Sequence, residues 1–269
     1  MLIEESCVDL PTKLGGTMRV FIYHPKILGY PKAKFPGVVV YSEIYQVTGP
    51  VSRFAKDIAG EGYIVAAPSS YHNFEGPEPL AYDTEGTDKG NEYKITKEVA
   101  SYDEDTTLTI DYLQSLPTCT GKIGATGMCL GGHLALRAAV TDSRVSAATT
   151  FFATDVHSKT LGKGKHDDTL ERFKEIKAEV ILIFGRKDNH VPYEGRSLIR
   201  DSLDKANVAY SLFEVNDAQH AFVRDEGSKG RYDPAVTKLC FDWMFDLFDR
   251  RLRIDLGPPE GDIKIENVC

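Results

Sequence analysis

Cys129 lies in the run Gly127-Met128-Cys129-Leu130-Gly131-Gly132, a pattern of glycine, spacer, nucleophile, spacer and two glycines. An apolar, strand-like stretch over residues 122–126 leads in, and helix-forming Leu134-Ala135-Leu136-Arg137-Ala138-Ala139 follows. That setting predicts a sharp strand-to-helix turn with the cysteine at its apex. Such a turn strains the nucleophile's own backbone, and side chains two residues before and two after it would collide. Gly127 and Gly131 remove them. The cysteine also falls at a helix N-terminus, where free N–H groups and the positive dipole end favour a thiolate or an oxyanion. A free cysteine on its own is more often a small buried hydrophobe, so catalysis at Cys129 requires partners.

A thiol nucleophile needs a base, and the base needs an orienting acid. In open α/β sheets such groups sit at the carboxyl ends of strands. Ile181-Leu182-Ile183-Phe184 is an apolar strand that runs into Gly185-Arg186-Lys187-Asp188-Asn189-His190, which puts Asp188 in a strand-end loop. Ser211-Leu212-Phe213-Glu214-Val215 is another strand, and His220 lies in the loop after it. Taken singly, Asp188 is good turn chemistry and His220 an ordinary loop histidine. Together they complete the order nucleophile, acid, histidine that α/β-hydrolases use. Asp217 is a rival acid, but it is only three residues from His220 and not at a separate strand end. His133 and His190 are rival bases; the first is expected to pack behind the turn, the second to belong to the Asp188 turn.

The elements that must position these groups alternate. Gly37-Val38-Val39-Val40-Tyr41 is continuously apolar, as a central parallel strand would be. Pro50 opens a helix whose apolar face carries Val51, Phe54, Ala55, Ile58 and Ala59, and Gly60 and Gly62 end it. Further strands are expected over 19–23, 63–68, 145–152, 179–184 and 210–215, and helices over 103–116, 131–140, 193–205 and 234–251. This alternation predicts an α/β fold, a mostly parallel twisted sheet with helices on both faces. Residues 69–93 are polar and rich in Gly and Pro, and are expected to form a mobile loop or a lid over a site. Residues 1–256 are expected to form one domain, with 257–269 a tail outside its core.

Composition limits the partners. The chain has 269 residues, 42% hydrophobic and 27% charged, enough apolar content for a sizeable core. Its net charge of −8 and pI near 5.4, with no basic stripe, argue against nucleic acid and against an anionic membrane. Arg250-Arg251-Leu252-Arg253 is expected to cap the last helix. Five cysteines, at positions 7, 119, 129, 240 and 269, form no Cys-x-x-Cys pair and no zinc spacing, which fits a reducing compartment. The first nine residues already carry Glu4, Glu5 and Asp9, unlike a secretory signal, and no apolar run reaches membrane-spanning length. A cytoplasmic protein acting on a small molecule, as a monomer or homodimer, is the expectation.

The sequence resembles the dienelactone hydrolase family of α/β-hydrolases from about Val20 to Leu252. The carrying segments are Gly127 to Gly132, Gly185-Arg186-Lys187-Asp188-Asn189-His190-Val191-Pro192, His220-Ala221-Phe222-Val223-Arg224, and Ser42-Glu43-Ile44-Tyr45-Gln46. Cysteine at the turn is the specific point, because most α/β-hydrolases place serine there. The resemblance implies that Cys129, Asp188 and His220 are the catalytic triad and that Glu43 contacts the resting thiol. It further implies that the Ile44 and Leu130 N–H groups form the oxyanion hole and that Arg224 holds a substrate carboxylate. There are departures. Ala221 replaces a common serine, and no arginine occurs between Phe54 and Arg137 to match the family's second substrate arginine. Lys89 or Lys94 is left for that role, without the planar fork, and Tyr93 is placed beside Lys94 as a substrate contact. The activity implied is hydrolysis of an ester or lactone through a thioacyl-enzyme, without cofactor or metal. In that scheme Glu43 keeps the thiol protonated until a substrate carboxylate disturbs the contact. A carboxylesterase or thioesterase with another substrate is the alternative within the enzymes, and a catalytically silent ligand-binding module the alternative outside them.

Overall fold

The computed structural model describes residues 1–254. The tail expected over 257–269, and the domain boundary expected at 256, lie outside the described residues.

The most apolar runs make the centre of the sheet. Strands β3 (Phe35–Tyr41) and β4 (Ile64–Pro68) are buried at every residue, as strands covered on both faces must be. Around them lie β2 (Thr17–Lys26), β5 (Cys119–Met128), β6 (Val145–Phe151), β7 (Glu179–Gly185) and β8 (Tyr210–Val215). With β1 (Leu2–Pro11) at one edge, the eight strands run in the order β1-β2-β4-β3-β5-β6-β7-β8. From β4 to β8 every pairing is parallel, and β2 joins β4 antiparallel. Alternation sends Val38 and Val40 into one apolar cluster and Val39 and Tyr41 into another. The first cluster is shared with α1 (Gly49–Gly60) and α6 (Pro234–Phe248), the second with α3 (Val99–Ser115), α4 (Leu130–Thr141) and α5 (Tyr193–Lys205). The expected α/β-hydrolase architecture is therefore present.

Three departures from the sequence expectation have physical causes. Strand β1 (Leu2–Pro11) was not foreseen. It is an edge strand paired in full register to β2, from Leu2 opposite Lys26 to Pro11 opposite Thr17, and most of its side chains are exposed, so no buried alternation marks it. The segment over 69–93 is not wholly a loop, because its second half begins helix α2 (Thr84–Thr96). Asp83 caps that helix by accepting from the Gly86 N–H at 2.8 Å. The helix has almost no apolar stripe, and its buried residues are Gly86 and Gly90, so periodicity could not reveal it. Finally, α6 ends at Phe248 and a wider π turn spans Asp249–Arg253. Arg250 does not serve as a dipole cap there; it binds the Glu179 and Asp246 carboxylates.

Candidate active site

Strand β5 delivers Cys129 at the turn into α4. The residue sits at φ 58°, ψ −119°, a strained conformation for a residue with a side chain. A Cβ on Gly127 would lie 2.4 Å from the Gly131 carbonyl oxygen, and one on Gly131 would lie 2.2 Å from that of Tyr41. Both glycines are thus required by backbone contact, as the sequence pattern predicts. The Cys129 N–H donates to Phe151 O at 3.0 Å, which ties the apex to the end of β6.

Asp188 follows β7 and His220 follows β8. The His220 Nδ1 lies 2.8 Å from Asp188 Oδ2, and both residues are buried. The other Asp188 oxygen accepts the His190 N–H at 2.8 Å. Burial alone would raise the Asp188 pKa; the hydrogen bond and charge of His220 outweigh it and hold the carboxyl below its usual range. Burial alone would lower the His220 pKa, but its charge interaction with Cys129 and the bond to Asp188 push it up to about 10. Cys129 and the hydrogen-bonded His220–Asp188 pair thus come together at one site. The other candidates lie elsewhere: Asp217 is exposed and paired with Lys187, and His133 is buried behind the turn against Thr169 and Asp167. His190 is kept within the Asp188 turn, its ring 4.3 Å from that of His220.

These groups open on a cavity of about 250 Å³ whose wall includes Glu43, Ile44, Cys129, His220 and Arg224. Leu130 is the first residue of α4, so its N–H has no acceptor within the helix. Among the described residues neither this N–H nor that of Ile44 donates to a carbonyl of a turn or loop, which leaves both available to an oxyanion.

Glu43 departs from the expected contact with the thiol. Its Oε1 accepts from Arg224 Nη1 at 2.9 Å and its Oε2 from the Tyr82 hydroxyl at 3.0 Å. Both side chains are almost fully buried, at 2% and 6% exposure, so the carboxylate takes the nearest cation. Burial, and next the Glu43 charge, push the Tyr82 pKa up, which keeps its hydroxyl protonated as the donor. Arg224 stands at the cavity as expected, with two of its three guanidinium nitrogens engaged: besides the Nη1 bond to Glu43, Nη2 donates to Gly227 O at 2.7 Å and the plane lies over the Tyr82 ring at 4.2 Å, while Nε is buried without a partner. Lys94 also lines the cavity, and its Nζ binds both oxygens of Asp155, at 2.9 and 3.1 Å. Tyr93 is not in the wall. The helical turn points it the other way, onto the Phe74 ring and the Glu75 carboxylate. Lys89 is half-buried and pairs with Glu85.

Several wall residues carried no sequence signal. Asp155 and His157 follow β6, Thr87 and Asn91 come from α2, and Arg231 precedes α6. Cys129, Asp155 and Ala221 in this wall all hold positive φ, a backbone state that their side chains do not announce and that clusters at functional sites.

Strand order, the strained turn and the acid–histidine pair at neighbouring strand ends define an α/β-hydrolase. The dienelactone hydrolase family model matches residues 19–252, and the chain belongs to that family. A Saccharomyces cerevisiae protein named "Putative carboxymethylenebutenolidase" is 56% identical over the full length of both chains. The Pseudomonas putida carboxymethylenebutenolidase is 24% identical over 75% of this chain and 81% of its own. Among solved structures, a Klebsiella pneumoniae "Putative Dienelactone Hydrolase" has the same fold, with a TM-score of 0.79 and 20% identity over 93% of this chain and all of its own. The protein is a hydrolase of this family. No helix among the described residues is long and apolar enough to cross a membrane.

Proposed function

We propose that this hydrolase cleaves a carboxylic ester or lactone through a thioacyl-enzyme on Cys129. The observation that carries the proposal is the His220–Asp188 hydrogen bond, with His220 and Cys129 in the wall of the same cavity. The sulfur attacks the acyl carbon and a C–S bond forms. The oxygen of the tetrahedral intermediate takes up negative charge, which the Ile44 and Leu130 N–H groups stabilise. As the intermediate collapses, the C–O bond breaks and the departing alkoxide takes the proton held by His220. With a lactone the new hydroxyl stays tethered to the acyl group. His220 then removes a proton from water, the hydroxide displaces the thiolate, and acid and enzyme separate. Asp188 keeps the imidazole in the required tautomer throughout. Arg224 and Tyr82 take up both oxygens of the Glu43 carboxylate, so thiolate formation falls to His220. The family resemblance supports a dienelactone-like, carboxylate-bearing substrate. The free cysteines among the described residues fit a reducing compartment, and the cytoplasm is the location proposed.

The test is a pair of substitutions assayed on a p-nitrophenyl ester and on a lactone. Cys129→Ala should lower kcat/KM by at least about a thousandfold, the scale of removing a nucleophile. Cys129→Ser should fall well below the wild type, because an alkoxide forms less readily in a site arranged for thiol. A Cys129→Ala protein that keeps the wild-type rate would overturn the proposal.

A further inference from the structure

Hydrolysis of a thioacyl-enzyme calls for two hydrogen-bond acceptors at the attacking water. One proton passes to His220 as the new C–O bond forms. The second hydrogen needs a partner that keeps a lone pair of the oxygen turned toward the acyl carbon. The carboxylates of the cavity wall are already committed. Glu43 accepts from Arg224 and Tyr82 through its two oxygens. Asp155 accepts from Lys94 through both of its oxygens and from Thr160 through one.

Two rings pack on the His220 imidazole. Phe152, at 4.9 Å between centroids, has no acceptor. His190, at 4.3 Å and tilted by 47°, has one. It lines the same cavity as Cys129 and is exposed, so water reaches it. Its backbone is fixed by the N–H bond to Asp188 and by the fully buried Val191 that follows. Among the described residues neither of its ring nitrogens has a hydrogen-bond partner. Burial, and next the positive charge of His220, hold its pKa below the usual histidine range. Lys94 acts in the same direction, and Asp188 and Asp155 oppose it. The ring is therefore uncharged at neutral pH, with one nitrogen open to accept.

We infer that His190 is the second acceptor and holds the hydrolytic water against the acyl carbon while His220 takes its proton. The inference rests on the thioacyl reading above and adds to it a residue that serves the second half-reaction alone. In that step an O–H bond of water breaks and its proton goes to His220. The water oxygen bonds to the acyl carbon, and the C–S bond then breaks to return the thiolate. His190 neither gains nor loses a proton.

The experiment follows p-nitrophenyl butyrate in water and in water containing methanol. Methanol carries a single O–H hydrogen, which goes to His220, so it attacks the acyl-enzyme without a second acceptor. His190→Phe keeps a ring against His220 and removes the acceptor. In that variant the ratio of methyl butyrate to butyrate should rise by about tenfold, the scale of one hydrogen bond. The nitrophenol burst that reports acylation should stay within about twofold of the wild type, while steady turnover falls by about tenfold. His190→Gln, whose amide oxygen accepts, should recover part of both effects. An unchanged product ratio overturns the inference and leaves the thioacyl reading intact. So does an equal fall in burst and turnover, which would make His190 a support for His220, since His220 serves both steps. If methanol fails to enter the wild-type site, the split of burst from turnover decides alone. If acid quench finds no butyryl group on Cys129 of the wild type, the thioacyl reading falls and this inference with it.

Discussion

At the scale of the residue, the site is governed by which charges are already paired. Glu43 and Arg224 are both withdrawn from water, and each is held mainly by the other. Removing Arg224 strands a buried carboxylate, so Arg224→Ala should cost roughly 3–5 kcal/mol of stability. Thermal or denaturant unfolding measures this, and the double variant Glu43→Gln/Arg224→Met should recover most of it. A loss in Arg224→Ala no greater than that of a surface substitution would contradict the account. The rates of Arg224→Ala on acidic and neutral esters should fall together, because the damage is to the wall and not to one ligand contact. The proposed catalytic residues were legible in the sequence because each sits beside a constraint that spacing records. Gly127 and Gly131 mark the apex that carries Cys129, and apolar strands end just before Asp188 and His220. The Glu43 partnership was not legible. It depends on Tyr82 and Arg224 approaching from distant parts of the chain, and no local pattern encodes that.

At the scale of the element, helix α2 roofs the cavity and also packs on the loop that carries Ile44, proposed for the oxyanion hole. Gly90 packs so closely on Ile44 that a Cβ there would stand 2.3 Å from the Ile44 carbonyl oxygen. Gly90→Ala should therefore displace the Ile44 N–H and lower kcat by about 10- to 100-fold, toward the cost of losing one oxyanion donor, with KM changed little. An unaltered kcat would remove Ile44 from the proposed hole. The same helix is anchored across the cavity by Lys94 and Asp155. Burial alone would raise the Asp155 pKa, yet Lys94 and nearby hydroxyls hold it down at about 2. A depressed carboxyl contributes stability that is fully present above its unfolded value near 3.8 and is lost as pH falls toward 2. Melting temperatures taken from pH 5 down to pH 2 should thus fall more steeply in the wild type than in Lys94→Met, by ~2 kcal/mol over that window. Parallel acid limbs would contradict the assignment. Helix α2 escaped the sequence because glycine contacts, not an apolar stripe, seat it. Strand β1 escaped because an exposed edge strand needs hydrogen bonds to β2 but no buried face.

At the scale of the whole molecule, the parallel sheet from β4 to β8 turns distant segments into neighbours. The carboxyl ends of β5, β7 and β8 lie along one edge, with Cys129, Asp188 and His220 in the loops that leave them, which is where α/β sheets place their ligands. The same layering was readable in advance from the alternation of apolar strands and amphipathic helices, since each helix has to cover one face of the sheet. The cavity wall was not, because it is assembled from α2, the segment after β6 and the loop before α6, whose meeting follows from the fold and not from any one stretch of chain. The central claim is that these strand ends carry out acyl transfer through Cys129. Rapid acid quench followed by mass spectrometry of the Cys129 peptide, during turnover of a p-nitrophenyl ester, tests it most directly. The expected result is a transient mass increase of one acyl group on Cys129, absent in Cys129→Ala and long-lived in His220→Ala when a reactive ester forces acylation. Turnover at the full wild-type rate with no acyl group on Cys129 at any time, or with the group on another residue, would contradict the account.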